Sequence, residues 1–275
     1  MTDLVFSGGS TKGILHVGAL QAIFEKDIPI GRLYGTSAGS IIAAAIACGL
    51  DFNEIQKLVF VTDFGYFLKG FWTERIYNVL FNSGLSKGTK LLKFLKKDVC
   101  GDKVFADLRY DLNVVAYCLA QNTYLIFNKK NSPNMPVALA VRASCSIPLI
   151  FSPVFWYDEK KKINRLLVDG GVSKNFPVDL VETSNYIGHL IDDPGVDYSV
   201  GYDIKKVAMG SFAAMVSGNC KESIEDAVNG GCIVTTCYQK SATDFEVDYE
   251  EKWEMLGIGY KNMLNSLNRW LGKKK

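Results

Sequence analysis

Short apolar runs alternate with longer segments of helical periodicity along most of the chain. The strand-like runs are residues 4–6, 33–34, 112–119, 123–127 and 166–168. The segments 14–26 and 40–48 are apolar on most sides, which indicates helices buried within the fold. Because strands and helices alternate, the pattern predicts an α/β fold with a mainly parallel sheet.

The C-terminal segment has the clearest amphipathic pattern. Its apolar positions are Tyr260, Met263, Leu264, Leu267 and Leu271, and polar side chains occupy the opposite face. This spacing predicts an amphipathic helix over about residues 252–272. We expect the helix to dock on the core of a single domain spanning residues 1–275, and membrane binding by this helix is the alternative.

Composition narrows the class of protein. The chain has 275 residues, is 48% hydrophobic and carries a net charge of +2, which is typical of a globular protein with one sizeable core. The sequence has no long basic tract of the kind that indicates a nucleic-acid partner. The longest apolar run, residues 41–50, is too short for a membrane span, and no leader segment precedes the first strand. Seven scattered cysteines show no metal-ligand spacing and no disulfide framework, so we expect a cytoplasmic protein.

A glycine-rich loop, SGGSTKG at residues 7–13, separates the first strand from the first helix. Loops of this kind point several backbone N–H groups at one anion. A phosphate loop of the Walker type needs lysine directly after its last glycine, but Lys12 precedes Gly13. The dinucleotide fingerprint needs glycine where this chain has Ser10. The sequence therefore favours an anion that forms only transiently, during a reaction.

The segment Gly35-Thr36-Ser37-Ala38-Gly39 has the pattern of a nucleophile elbow. A strand-like run precedes Ser37 and a helix-like run follows it, as such an elbow requires. The first strand, the first helix and the second strand make a βαβ unit, which puts both turns at the same edge of the sheet. We expect the N–H groups of residues 8–10 to face the Ser37 hydroxyl and to stabilise an oxyanion there.

A serine nucleophile needs a base, and two arrangements are open. Asp169 ends the strand-like run 166–168 and is followed by Gly170 and Gly171, which favours a direct Ser37–Asp169 dyad. His189 follows Asp169 in the chain and would complete the Ser-Asp-His order of an α/β-hydrolase. The other histidine, His16, lies in the buried helix, where we expect a structural role.

The motifs SGGSTKG, GTSAGS and LVDGGVSKNFPVDL resemble, in order and context, those of the patatin-like phospholipase family. The resemblance includes AVRASCSIP at residues 140–148, spans most of the chain from residue 3 to about 265 and is weakest over residues 185–235. It implies a three-layer α/β/α fold with a mainly parallel central sheet, Ser37 as nucleophile and Asp169 as base. It also implies an oxyanion hole at Gly8, Gly9 and Ser10, where Ser10 replaces a third glycine. The supporting motif positions are Lys12, Gly13, Gly35, Gly39, Gly170 and Gly171.

The same resemblance implies an activity. It is hydrolysis of carboxylic ester bonds in phospholipids or other acyl lipids, through an acyl-enzyme and without a metal or organic cofactor, at a membrane surface. A triad enzyme using His189 and a catalytically silent lipid-binding module are the alternatives. The aromatic stretch at residues 60–72 is either a lipid-facing lid or part of the core.

Overall fold

The computed structural model describes residues 1–69, 83–192, 204–240 and 244–273. The strands are β1 (Thr2–Phe6), β2 (Ile30–Thr36), β3 (Gly84–Ser86), β4 (Leu112–Cys118), β5 (Thr123–Phe127), β6 (Leu149–Phe151), β7 (Val154–Asp158), β8 (Ile163–Asp169), β9 (Tyr186–Asp192) and β10 (Cys232–Cys237). The α-helices are α1 (Ile14–Glu25), α2 (Ala38–Ala47), α3 (Phe52–Val61), α4 (Thr89–Phe94), α5 (Val137–Ser144), α6 (Ile204–Glu225) and α7 (Tyr249–Lys273).

Eight of the described strands form the central sheet. Their order is β10-β9-β1-β2-β4-β8-β7, and β5 pairs with β4 beside this path. Strands β10, β9, β1, β2 and β4 are parallel, whereas β5 and β8 pair antiparallel with β4, and β7 pairs antiparallel with β8. The expected α/β fold with a mainly parallel sheet is therefore confirmed, with an antiparallel addition at one side.

The sheet is buried on both faces. On β1, Leu4 and Phe6 belong to the larger apolar core, whereas Val5 belongs to a second core on the other face. Helix α6 contributes Cys220 to that second core. Helices on both faces explain why β1 is apolar at successive positions, since a strand covered on both sides has no solvent-facing positions to fill with polar residues.

The βαβ unit has the geometry that the sequence predicts. Strand β1 pairs in parallel with β2, with Leu4 opposite Leu33 and Phe6 opposite Gly35. The glycine loop and the turn at Ser37 consequently lie at the same edge of the sheet. At the start of α3, Asp51 and Glu54 form a capping box, in which the backbone N–H of each donates to the carboxylate of the other at 2.8 Å.

Helix α7 packs against α1 through two glycines. A Cβ atom on Gly18 would overlap the carbonyl oxygen of Leu256, and one on Gly259 would overlap that of Leu15. The helix lies where the amphipathic pattern predicted one, and its Met263 and Leu267 are fully buried. None of the helices in the described ranges is long and apolar enough to cross a bilayer.

We predict that Gly259→Ala destabilises the fold by about 1–3 kcal/mol, because the added methyl group forces two packed backbones apart. Gly257, on the same helix, is the matched control, since a Cβ there would meet no atom within 4 Å. Gly257→Ala should stabilise the protein by about 0.5–1 kcal/mol through helix propensity. Urea unfolding measures both changes. Equal effects of the two substitutions would contradict the close packing of α1 on α7.

Candidate active site

Ser37 lies in a tight turn between β2 and α2. Its backbone has φ 50° and ψ −125°, a left-handed conformation that is strained for a residue with a side chain. The flanking glycines are required by close backbone packing: a Cβ on Gly35 would overlap the carbonyl oxygen of Gly39, and one on Gly39 would overlap those of Phe6 and Ser7. The turn thus has the geometry of a nucleophile elbow, with Ser37 5% exposed.

Two further serines hold this turn. The Ser37 N–H donates to Ser144 Oγ at 2.8 Å, and the Ser144 hydroxyl in turn donates to the carbonyl oxygen of Val115 at 2.6 Å. The Ser40 hydroxyl donates to the Ser37 carbonyl oxygen at 2.6 Å. Hydrogen bonds from both sides fix the strained backbone, so the Ser37 side chain is held in one place.

Asp169 is brought to Ser37 by the register of β4. Thr36, at the end of β2, lies opposite Val115, and Asp169, at the end of β8, lies opposite the next residue, Ala116. Gly170 must be small here, because its Cβ would come 2.5 Å from the Val115 carbonyl oxygen. Adjacent positions on one strand therefore place the serine turn and the aspartate side by side.

The carboxylate of Asp169 is buried, with 1% exposure. Its Oδ1 accepts a hydrogen bond of 2.7 Å from the Gly171 N–H, and its Oδ2 has no hydrogen bond to any described group. Burial disfavours the ionised form and raises the pKa of Asp169 to about 7, although the Ser37 hydroxyl and the Gly171 N–H act in the opposite direction. A carboxylate with this pKa is a far better base than an exposed aspartate.

The glycine loop lies beside Ser37, but its donors differ from those expected. The N–H of Gly8 donates to the Asn175 carbonyl oxygen at 3.1 Å, so it is already occupied. The N–H groups of Gly9 and Ser10 have no acceptor within the described part of the chain. Ser10 adopts φ 52°, a conformation that favours glycine, which explains the resemblance to motifs with a third glycine here.

The small residues of the loop meet different neighbours. A Cβ on Gly8 would overlap Asn175 Oδ1 and come 3.2 Å from Ser37 Cβ, whereas one on Gly9 would come 2.7 Å from Ile191 Cδ1 on β9. A Cβ on Gly13 would come 2.9 Å from that of Ala38. Gly8 is thus the glycine that keeps side-chain atoms away from Ser37. Lys12 is buried within the 3-10 turn Ser10–Gly13 that leads into α1.

His189 lies away from this site. It belongs to β9, which three strands (β1, β2 and β4) separate from β8 and Asp169. Its Nδ1 is 2.7 Å from His16 Nδ1, and its Nε2 is 3.0 Å from Thr236 Oγ1. The structure therefore does not bring together the Ser37, Asp169 and His189 side chains that a triad requires, although their order in the chain allowed it.

The two histidines instead support the glycine loop through the carbonyl oxygen of Ser7. His16 Nε2 is 2.8 Å from the Ser7 carbonyl oxygen, and a carbonyl only accepts, so Nε2 carries the hydrogen. In the neutral state His16 Nδ1 then accepts the hydrogen on His189 Nδ1. Burial lowers the pKa of His16 to about 4 and that of His189 well below its ordinary value, with the His16 ring adding to the effect on His189. Both rings are consequently neutral at physiological pH.

An asparagine that no sequence motif indicates joins two parts of the site. The Asn219 side chain, on α6, accepts from the Asn175 N–H at 2.8 Å and donates to the Gly171 carbonyl oxygen at 2.9 Å. Asn175 holds the Gly8 N–H, and Gly171 holds Asp169 Oδ1. Asn219 thus links the glycine loop to the aspartate turn, from a part of the chain with no recognisable motif.

An apolar cavity of about 840 Å³ opens beside Ser37. Its lining comes from the glycine loop, the start of α1, the helices α2, α3 and α4, strand β6, and the segments after α3, after α5 and before α7. The lining residues are Ser10, Thr11, Gly13, Ile14, Ser37, Ala38, Ile41, Ile42, Ala45, Ile55, Leu58, Val59, Thr62, Phe64, Phe67, Leu91, Phe94, Cys145, Ile147, Phe151 and Phe245. Phe64 and Phe67, from the aromatic stretch 60–72, line this cavity. Residues 70–72 of that stretch lie outside the described residues.

This arrangement has the parts that nucleophilic catalysis by serine needs. A hydroxyl on an elbow adjoins a carboxylate of raised pKa, and two free backbone N–H groups lie in the loop next to them. No group of three or more histidine, cysteine or acidic side chains among the described residues could hold a metal ion.

We predict that Asp169→Asn stabilises the protein at pH 8 but not at pH 4. The carboxyl pKa is about 7 when folded and 3.8 as its reference value, so the wild type loses stability relative to the variant as pH rises between these values. The difference should approach about 4 kcal/mol above pH 7, and asparagine keeps the acceptor for Gly171 N–H. Urea unfolding across this range measures it. A difference that does not change with pH would contradict a raised pKa.

Comparison with known proteins places the chain. The family model for patatin-like phospholipases matches residues 4–181, well over half of the chain. The uncharacterized protein YqhO of Bacillus subtilis (strain 168) is 35% identical over 291 residues, which cover 98% of either chain. The cUMP-AMP-activated phospholipase of Escherichia coli is 30% identical over 192 residues, covering 63% of this chain and 55% of that protein.

A solved structure has a fold similar to that of this chain. VipD from Legionella pneumophila matches with a TM-score of 0.65 at 16% sequence identity, over 98% of this chain and 67% of that one. At this identity the likeness concerns the fold alone. Together with the family match over residues 4–181, it leads to one conclusion: the chain belongs to the patatin-like phospholipase family.

Proposed function

We propose that this protein hydrolyses carboxylic ester bonds of phospholipids or related acyl lipids through a Ser37–Asp169 dyad. The observation that carries the proposal is a buried carboxylate of raised pKa beside the Ser37 elbow. Asp169 lies opposite Ala116 of β4, and Thr36, which precedes Ser37, lies opposite the adjacent Val115. Family membership supports a lipid acyl hydrolase, and the name of the Escherichia coli relative describes it as a phospholipase.

The first half of the proposed reaction acylates the enzyme. Ser37 Oγ attacks the ester carbonyl carbon while its proton passes to Asp169 Oδ2, the oxygen without a hydrogen bond. The carbonyl oxygen becomes an oxyanion, which accepts hydrogen bonds from the N–H groups of Gly9 and Ser10. The tetrahedral intermediate then collapses: the bond to the alcohol oxygen breaks, and that oxygen takes the proton from Asp169. The products are the free alcohol and an acyl ester on Ser37.

The second half releases the acid. A water molecule attacks the acyl carbonyl carbon and gives its proton to Asp169, and the same N–H groups stabilise the second oxyanion. When this intermediate collapses, the proton returns to Ser37 Oγ and the fatty acid leaves. Asp169 is ionised before and after each cycle, and no external reactant other than water is needed.

The raised pKa of Asp169 and the oxyanion donors each lower part of the barrier to attack by Ser37. A pKa near 7 brings the carboxylate about three orders of magnitude closer in basicity to a serine hydroxyl than an ordinary aspartate. The remaining mismatch is reduced in the transition state, where each N–H of an oxyanion hole is worth about 3 kcal/mol. This division explains how a dyad can function without histidine.

The cavity next to Ser37 is proposed to hold the acyl chain. Its lining is almost entirely aliphatic and aromatic, which suits a hydrocarbon chain. Each methylene group buried there contributes roughly 0.8 kcal/mol to binding. In this proposal Phe64 and Phe67 contact the lipid, which gives the aromatic stretch a binding role without assigning it movement.

Phospholipid hydrolysis by the purified protein tests the proposal. The wild type should release free fatty acid and lysophospholipid from mixed micelles, as measured by mass spectrometry. Ser37→Ala and Asp169→Asn should each lower the rate by about a thousandfold or more, since each removes a reacting group. The exposed residues Ser211 and Asp226 provide the matched controls Ser211→Ala and Asp226→Asn, which should retain the wild-type rate.

The same experiment separates the alternatives. A catalytically silent lipid-binding module would show the same background hydrolysis in the wild type and in Ser37→Ala. A mechanism in which Asp169 takes no part would leave Asp169→Asn active. Either result would contradict the proposed dyad.

We further predict that kcat/KM for a short soluble ester rises about tenfold per pH unit below pH 7 and levels off above it. The base must be ionised, and burial raises the pKa of Asp169 to about 7. Burial lowers the pKa of His16 to about 4, so this histidine remains neutral over pH 5.5 to 8.5 and does not contribute to the profile. Initial rates, with circular dichroism at each pH to verify folding, provide the measurement. A flat profile between pH 5.5 and 8.5 would rule out Asp169 as the base.

A further inference from the structure

Strand β7 presents two large aromatic side chains to solvent. Phe155 is 78% exposed and Tyr157 is 52% exposed, while the intervening Trp156 faces inwards and packs against Phe127. Leu166, opposite Phe155 on β8, is half-buried and extends the apolar surface. Two adjacent exposed aromatic rings on one strand face are unusual for a surface that contacts only water.

The turn that joins β7 to β8 is strongly basic. It contains three exposed lysines, Lys160, Lys161 and Lys162, and one exposed carboxylate, Glu159. The neighbouring Asp158 does not neutralise them, because it is buried and its Oδ2 accepts hydrogen bonds of 3.0 and 2.7 Å from Arg165. The tip of the hairpin therefore carries an excess of positive charge.

A second basic turn lies near the first. The turn after β5 carries the exposed Lys129 and Lys130, and its Asn131 lines the same groove as Lys160 and Lys161. This groove has a volume of about 810 Å³, and Tyr124 and Trp156 are among its other lining residues. Lys160 and Lys161 thus line a groove with aromatic walls, and the other three lysines lie in the two turns beside it.

The hairpin leaves the central sheet at the edge that carries Ser37 and folds back over β5. Strand β4 is parallel to β2, so its C-terminal end lies at that edge, and Asp169 pairs there with Ala116. Strand β5 runs back from this edge, since its Phe127 lies opposite Val114. Trp156 packs against Phe127, and Lys160 and Lys161 line one groove with Asn131, so the hairpin tip lies close to the turn after β5.

Another exposed apolar cluster has the opposite electrostatics. Val61, Tyr249 and Trp253, on α3 and α7, are also exposed, and the last two pack on Phe60. Five acidic residues lie next to this cluster in the chain, namely Asp63, Asp248, Glu250, Glu251 and Glu254, and two of them form ion pairs, Asp63 with Lys69 and Glu251 with Lys240. An anionic lipid surface would be repelled there but attracted to the hairpin.

We propose that the β7–β8 hairpin docks this protein on the surface of an anionic phospholipid bilayer. Phe155 and Tyr157 enter the interfacial region, and the five lysines contact lipid phosphates, as aromatic and basic residues do in peripheral membrane proteins. The purpose of docking rests on the proposed function, but the binding itself is independent of catalysis.

Vesicle co-sedimentation of full-length Ser37→Ala protein tests the docking without turnover. The parent should bind phosphatidylcholine vesicles that contain phosphatidylserine and bind pure phosphatidylcholine vesicles much more weakly. Adding Phe155→Ser and Tyr157→Ser, or Lys160→Glu and Lys162→Glu, should weaken binding to the anionic vesicles about tenfold or more. Added salt should weaken binding of the parent and have little effect on the lysine variant.

Two control pairs make the test specific. Lys26→Glu and Lys57→Glu impose the same change in charge at exposed positions at the end of α1 and on α3, which pack together through Phe24 and Phe52, and should leave binding unchanged. Val61→Ser and Tyr249→Ser remove apolar surface from the acidic cluster and should also leave it unchanged. When Ser37 is restored, all variants should hydrolyse a short soluble ester at the wild-type rate.

Three results would overturn the proposal. The first is failure of the parent to bind anionic vesicles, which would leave the hairpin as a surface for a protein partner. The second is binding by both hairpin variants that is as strong as that of the parent. The third is loss of binding in the Val61 and Tyr249 variant alone. Hydrolysis of the soluble ester distinguishes this failure from failure of the proposed function. Intact vesicle binding without any esterase activity would contradict the dyad, whereas intact activity without binding would contradict the docking.

Discussion

The burial of one carboxylate governs the arrangement of the whole site. Asp169 is removed from water with a single hydrogen bond to one oxygen, from Gly171 N–H, and without a neighbouring cation among its hydrogen-bond partners. Burial on these terms disfavours the ionised form, so the fold must impose it. The register of β4 does so, because Val115 and Ala116 fix the ends of β2 and β8 side by side. In the proposed mechanism, the stability lost at Asp169 gives the carboxylate the basicity to act on Ser37.

The surrounding hydrogen bonds keep this arrangement rigid. The His16–His189 pair holds the Ser7 carbonyl oxygen, and Asn175 holds the Gly8 N–H, so the peptide between Ser7 and Gly8 is fixed at both ends. Asn219 then ties Asn175 to Gly171. The glycine loop and the aspartate turn are thereby parts of one network, and in the proposed mechanism the N–H groups of Gly9 and Ser10 bind the oxyanion. Preorganised donors of this kind need no rearrangement when negative charge develops.

Sequence alone could predict the elements whose signals are local. The βαβ unit, the elbow glycines and the amphipathic C-terminal helix follow from spacing and steric demands over short stretches. The role of His189 could not be predicted, because chain order permits a triad and only the strand order shows that β1, β2 and β4 separate it from Asp169. The engagement of the Gly8 N–H and the role of Asn219 depend on contacts far along the chain, for which no periodicity exists. Strands β9 and β10 lie in the region that resembles the family least, and neither was predicted.

The central claim is that Ser37 is a nucleophile activated by Asp169. Mass spectrometry after treatment with a serine-reactive fluorophosphonate tests it most directly, since the reagent reports on the serine without reference to any lipid. The account predicts one covalent adduct on the peptide containing Ser37, no adduct in Ser37→Ala and a greatly reduced one in Asp169→Asn. A wild-type protein that remains unlabelled, or one labelled equally well with Asp169→Asn, would contradict the account.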